Sequence, residues 1–87
     1  MHYVYIIKSI KFPEELYIGY TLDVQSRLVK HNQRGSVYTK DYVPWALMFY
    51  CAFPDKHLAL EFEKYLKSHS GRAFMQKRFL GQVSLQI

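Results

Sequence analysis

Two short runs of β-branched and aromatic residues near the start of the chain constrain its fold more than any other feature. Tyr3-Val4-Tyr5-Ile6-Ile7 is apolar throughout and too short for a helix, so it reads as a well-buried strand. Leu16-Tyr17-Ile18-Gly19-Tyr20 is a second run of the same type, and Phe12-Pro13-Glu14-Glu15 between them supplies a turn. So short a gap favours an antiparallel hairpin, because parallel neighbours need a much longer crossover. Side chains alternate between faces, so Tyr3 and Tyr5 leave the first strand on one side, and hairpin pairing brings Tyr5 and Tyr17 within reach of each other. Gly19 inside the second strand signals a bulge or a close approach by another group.

The rest of the chain supplies what must cover this hairpin. Thr21 or Asp23 caps a helix running to about Asn32, with Val24 and Leu28 on its buried stripe and Gly35 available for a left-handed C-terminal cap. Residues 36–44 read as a loop closed by Pro44, and Trp45–Phe53 as a third, nearly all-apolar strand. Pro54-Asp55 then caps a second long helix whose expected buried stripe is Leu58, Phe62, Tyr65 and Leu66. Residues 68–71 break it, and 72–79 form a short basic third helix. The order β-β-α-β-α-α predicts an α/β (α+β) fold, a small three-stranded, mainly antiparallel sheet flanked by helices. With 87 residues, positions 1–87 are expected to make a single domain.

Composition narrows the function classes. Hydrophobic residues at 49% and charged residues at 22% are ordinary globular usage and exclude a disordered chain. No apolar run approaches the roughly 18–20 residues needed to span a bilayer, and no leader pattern is present, so a soluble, cytoplasmic protein without a membrane partner is expected. The single cysteine, Cys51, excludes an internal disulfide and a cysteine-based zinc site. Twelve Lys and Arg against seven Asp and Glu give a net +5, and every acid lies at or before Glu63. Beyond it stand Lys64, Lys67, Arg72, Lys77 and Arg78, which carry the whole excess. A basic segment on a neutral body suits a polyanion, most simply nucleic acid. The plainer account is that cations favour helix C-termini and keep a small protein soluble.

Several side chains have chemical potential. Arg27 and His31, at i and i+4 on the first helix, leave the same face one turn apart. Arginine offers a bidentate fork for phosphate, and histidine a donor or proton acceptor beside it. A solvated Arg and a half-buried His would look the same in sequence. Glu63 sits at the boundary of the second helix's buried stripe, where a carboxylate can ligate a hard divalent cation; its bland reading is a local ion pair with Lys64 or Lys67. Glu61 lies at the opposite rim. Of the eight tyrosines, most are expected to be core residues with a hydroxyl at the surface, since a phenol becomes a base only where cations or a metal stabilise its phenolate.

Taken in order, Tyr3-Val4-Tyr5, Leu16-Tyr17-Ile18-Gly19-Tyr20-Thr21, Arg27-Leu28-Val29-Lys30-His31-Asn32, Glu63-Lys64-Tyr65-Leu66-Lys67 and Gly71-Arg72-Ala73-Phe74 resemble a GIY-YIG nuclease domain. The resemblance runs from residue 3 to about 79. It is nearest to the small stand-alone bacterial endonuclease-like proteins of that superfamily, which are similar to the N-terminal domain of the excinuclease subunit UvrC. Three departures stand out: Tyr3 replaces the glycine of the first motif, Tyr20 stands where the excision-repair domain has a lysine, and the hairpin loop is slightly long.

The resemblance implies a metal-dependent endonuclease acting on DNA in repair or processing. Glu63 would bind Mg²⁺ or Mn²⁺, and Arg27 would clamp the scissile phosphate. Tyr17 or Tyr5 would take the proton of the attacking water, Tyr17 being the preferred base with Tyr5 positioning it. His31 would orient that tyrosine or relay its proton. DNA would meet Lys30, Arg34 and Lys40 around the loop, together with Lys67, Arg72, Lys77 and Arg78. Two other classes compete. One is a nucleic-acid-binding module with little activity of its own, working as a homodimer or with a larger repair partner. The other is an adaptor that docks a repair factor through a patch drawn from Tyr38, Tyr42, Trp45 and Tyr50.

Overall fold

In the computed structural model, which describes residues 1–81, the two N-terminal runs form β1 (His2–Ser9) and β2 (Leu16–Thr21). They are followed by α1 (Val24–Asn32), a 3₁₀ turn (Lys40–Tyr42), β3 (Trp45–Phe53), α2 (Lys56–Leu66) and α3 (His69–Arg78). The sheet order is β2-β1-β3 with both pairings antiparallel, so β1 is central and β2 is an edge. The architecture is the expected α+β fold, with the expected element order.

Alternation along β1 divides the interior in two. Val4 and Ile6 pack with Ile18, Ala59, Leu66 and Met75 beneath α2 and α3. Tyr5 and Ile7 pack with Trp45 on the opposite face, against Val24 and Leu28 of α1. Each fully buried aliphatic side chain contributes about 1.5–3 kcal/mol, so this β1 sequence holds both layers together. The irregularity in the sheet lies between Ile6 and Ile7 where β1 meets β3, not at Gly19.

Local chemistry explains the helix limits. Asp23 caps α1 by accepting from the Ser26 amide at 3.1 Å, and Asp55 caps α2 by accepting from the His57 amide at 2.8 Å. Ser68 caps α3, its hydroxyl accepting from the Gly71 amide, so the expected break is confined to Lys67 and Ser68 and α3 begins at His69 rather than at 72. At the end of α1, Arg34 rather than Gly35 takes the left-handed conformation, with φ 62°. The Arg34 amide donates to the His31 carbonyl and the Gly35 amide to that of Lys30, which is the Schellman pattern. Gly35 serves instead to let the chain pass close to Lys30, where a Cβ would sit 2.8 Å from the Lys30 Cγ.

The stripe of α2 also differs from expectation. Ala59 and Leu66 are fully buried and Phe62 half-buried, whereas Leu58 and Tyr65 are exposed. The buried face is therefore rotated toward Ala59, because a small residue lets the helix axis approach the sheet. That rotation brings Glu63, one turn after Ala59, onto the sheet side. The aromatic patch considered for an adaptor does not form as a unit: Trp45 is buried and Tyr42 half-buried, leaving Tyr38 and Tyr50 exposed.

Candidate active site

The site is built around a missing side chain. Tyr5 pairs with Gly19 across the hairpin, and its ring lies over that glycine. A Cβ on Gly19 would stand 2.5 Å from the Tyr5 hydroxyl oxygen. The glycine thus lets the phenol cross β2 toward the open edge of the sheet. Next to it Ile7 pairs with Tyr17, and the Tyr5 and Tyr17 rings are 6.3 Å apart.

From α1, His31 closes over the tyrosines. It is the one fully buried residue of that helix, with 2% exposure. Its Nε2 lies 2.8 Å from the Tyr5 hydroxyl, and its Nδ1 lies 2.7 Å from Oγ1 of Thr39, itself completely buried. The Thr39 carbonyl in turn accepts from the Trp45 indole at 2.9 Å. Asn32 clips the loop to β3, accepting from the Trp45 amide at 2.6 Å and donating to the Trp45 carbonyl at 3.1 Å. Thr39 escaped the sequence reading, and Asn32, the end of the Arg27–Asn32 stretch, was given no role in it. Neither spacing nor composition distinguishes them, since their partners are distant along the chain.

The remaining groups gather electrostatically around Tyr5. Burial pushes its pKa up to about 12, and the neighbouring Tyr17 adds to the rise. Arg27 pulls the other way through hydrogen bonding and charge, and the Glu63 carboxylate is near enough to contribute a further small rise. Tyr5 is therefore a phenol, not a phenolate, at neutral pH. Burial, then the charges of Arg27 and Lys30, hold the His31 pKa below its ordinary value, which keeps the imidazole neutral. Tyr5, Tyr17, Arg27, His31 and Glu63 thus share one neighbourhood at the β2 side of the sheet.

Glu63 has two aspects. Its carboxylate is 3.0 Å from the Lys67 ammonium, the local pair expected of an ordinary helix glutamate. Yet its side chain is only 18% exposed, against 65% for Glu61, which pairs outward with His57. Among the described residues no group of three or more His, Cys, Asp or Glu could enclose a metal ion. A lone carboxylate can offer one oxygen to Mg²⁺ or Mn²⁺, ions that keep most of their waters and take oxygens from a phosphate ligand, provided the ion displaces the Lys67 ammonium.

Two shallow depressions flank β2. One, of about 200 Å³, is lined by Leu16, Tyr17 and Ile18 with Lys67 and Arg72. The other includes Tyr20, Ser26, Arg27 and Lys30. Arg34 and Lys40 are exposed beyond the C-terminal end of α1. Lys77 and Arg78 are exposed on the last turn of α3 and line neither depression. No helix among the described residues is long and apolar enough to cross a membrane.

Comparison with known proteins gives likenesses over most of the chain. The family model described as the GIY-YIG catalytic domain matches residues 1–78. A UPF0213 protein of Haloquadratum walsbyi is 39% identical over 70 residues, covering 79% of this chain and 76% of the relative. A UPF0213 protein of Staphylococcus saprophyticus is 39% identical over 70 residues, covering 79% and 83%. The solution NMR structure of a UPF0213 protein from Bacillus halodurans superposes with a TM-score of 0.55 at 32% identity, covering 98% of this chain and 92% of that one.

Proposed function

The chain belongs to the GIY-YIG family, and from that premise we propose that it is a divalent-metal-dependent endonuclease that hydrolyses DNA phosphodiester bonds in DNA repair or processing. The observation that carries this reading is the gathering of Tyr5, Tyr17, Arg27, His31 and Glu63 around one edge of the sheet, flanked by basic depressions.

Arg27 clamps the scissile phosphate and offsets the charge that grows on its oxygens as the pentavalent arrangement forms. Tyr17, in the open depression beside the Lys67 and Arg72 cations, acts in its phenolate form, having given its own proton to solvent, and takes the proton of the attacking water. Tyr5, buried and held in its neutral form, has no free phenolate to take a proton and acts by positioning. His31 holds the Tyr5 ring in place through its 2.8 Å contact. Glu63 would hold Mg²⁺ or Mn²⁺, which would supply Lewis-acid stabilisation of charge on the phosphate. Lys67, beside Tyr17 and Arg72, is placed to contact the DNA backbone.

Cleavage of labelled single-stranded, duplex and branched DNA with Mg²⁺ or Mn²⁺ tests the reading, with Glu63→Ala as comparison. Metal-dependent cutting by the natural chain, lost in the variant while DNA binding persists, is expected. If neither protein cuts any substrate and both bind DNA equally, the chain is a binding module that works with a partner.

A further inference from the structure

The hydrogen-bonded series Tyr5–His31–Thr39 contains more information than its distances. Between Tyr5 and Thr39 there are two links but three protons, one on each hydroxyl and one on the neutral imidazole. One proton is therefore left over, at one end or the other. If His31 carries its proton on Nδ1, it donates to Thr39, and the Thr39 hydroxyl proton is left without an acceptor. If it carries the proton on Nε2, Thr39 donates to Nδ1, His31 donates to Tyr5, and the Tyr5 proton is left over.

The two ends differ in surroundings. Thr39 is 0% exposed, and its hydroxyl has no other hydrogen-bond partner among the described residues. Its backbone carbonyl is already occupied by the Trp45 indole and the Tyr42 amide. A stranded donor there would bear the full cost of desolvation. Tyr5 is equally buried, at 1% exposure, but its hydroxyl stands at the Gly19 gap among three polar neighbours: the Arg27 guanidinium donates to its oxygen, and Tyr17 and the Glu63 carboxylate are near enough to attract its proton. The depressed pKa of His31 agrees with a neutral ring, without which no tautomer choice would arise.

We propose that Thr39 is a positioning residue that donates to Nδ1 and holds His31 in its Nε2–H tautomer, so that Tyr5 accepts from His31 and presents its own proton outward. The use of that proton rests on the nuclease reading: Tyr5 donates to a phosphate oxygen, or to the water bound beside it. With Nε2 already protonated, His31 has no site to receive the Tyr5 proton. Of its two suggested roles, relay and orientation, the second remains.

Long-range ¹H–¹⁵N spectra of the ¹⁵N-labelled chain at neutral pH, without DNA or metal, test this directly. His31 is identified by through-space contacts to the rings of Tyr5 and Tyr17, whose centroids are 5.9 and 5.0 Å from its own. A protonated, pyrrole-like Nε2 and an unprotonated, pyridine-like Nδ1 are expected, unchanged in Thr39→Ser and averaged between tautomers in Thr39→Val. An Nδ1–H ring in the natural chain overturns the proposal, as does a Thr39→Val spectrum identical to it. Should Thr39→Val not fold, the natural chain and Thr39→Ser still decide. Failure of the nuclease reading leaves these spectra unaffected. Where cleavage is observed, Thr39→Val should lower it by about 10- to 100-fold and Thr39→Ser should restore most of the rate.

Discussion

At Gly19 the second strand gives up a side chain and the space goes to Tyr5, so the smallest substitution there tests the site more sharply than the fold. Gly19→Ala would place a methyl group against Oη, Cζ and Cε1 of Tyr5. The ring end must move, at a cost of about 1–3 kcal/mol in stability. Cleavage should fall far more, about 100-fold, because a displacement near 1 Å suffices to spoil catalytic geometry. Urea unfolding and single-turnover cleavage measure the two effects separately; equal losses would mean that Tyr5 matters only for packing. His31 makes a second residue-scale prediction. Burial lowers its pKa, so as pH falls below 6.5 the unfolded chain takes up a proton that the folded chain still refuses. Its contribution is thus complete above pH 6.5 and is lost as pH falls toward the folded value. In His31→Asn, the decline in Tm just below pH 6.5 should be shallower than in the natural chain. Asp23, whose pKa is lowered from 3.8 by hydrogen bonds from Ser26, acts in a more acidic window and does not interfere.

The elements were legible because each strand is a continuous apolar run and each helix starts at a side chain able to cap it. What escaped was how elements meet. Tyr65 and Leu58 have the composition of a buried stripe but lose to Ala59, which permits the closer helix–sheet approach. No local pattern encodes that choice. The same holds at the α2–α3 joint, where Gly71 sits against the backbone of Tyr65 and Leu66. Gly71→Ala would collide with the Tyr65 carbonyl, a backbone atom that cannot swing aside, so α3 must tilt off the core residue Met75. A loss of about 2–4 kcal/mol is expected in chemical denaturation. Arg34 offers the opposite case. It holds a left-handed position that glycine adopts without strain, so Arg34→Gly should raise stability by about 0.5–1 kcal/mol while weakening DNA binding. A variant that gains neither stability nor a binding defect would show that the Arg34 conformation is cost-free and its charge idle.

At the scale of the molecule, the fold sorts the basic residues into those that line a depression beside β2 and those that do not. The sequence marked the last part of the chain as the cationic reservoir, but had no means of assigning cations to faces. The fold brings Lys67 and Arg72 to the Tyr17 depression and Lys30 to that of Arg27, while Lys77 and Arg78, on the last turn of α3, line neither. If Lys30, Arg34, Lys40, Lys67 and Arg72 contact phosphates, about five condensed counterions are released on duplex DNA, and log Kd against log salt should have a slope of magnitude about 4–5. Replacing Lys67 and Arg72 together by alanine should reduce that magnitude by about 2, whereas the paired replacement of Lys77 and Arg78 should leave it nearly unchanged. Fluorescence anisotropy over a salt series reads all three slopes. Equal reductions from both pairs would mean that DNA lies across α3 as well as along β2, and a slope near zero would remove electrostatics as the basis of binding. The comparison distinguishes a backbone track fixed by the sheet edge from a diffuse attraction to net charge, because both double variants lose the same two positive charges and differ only in where the fold has put them.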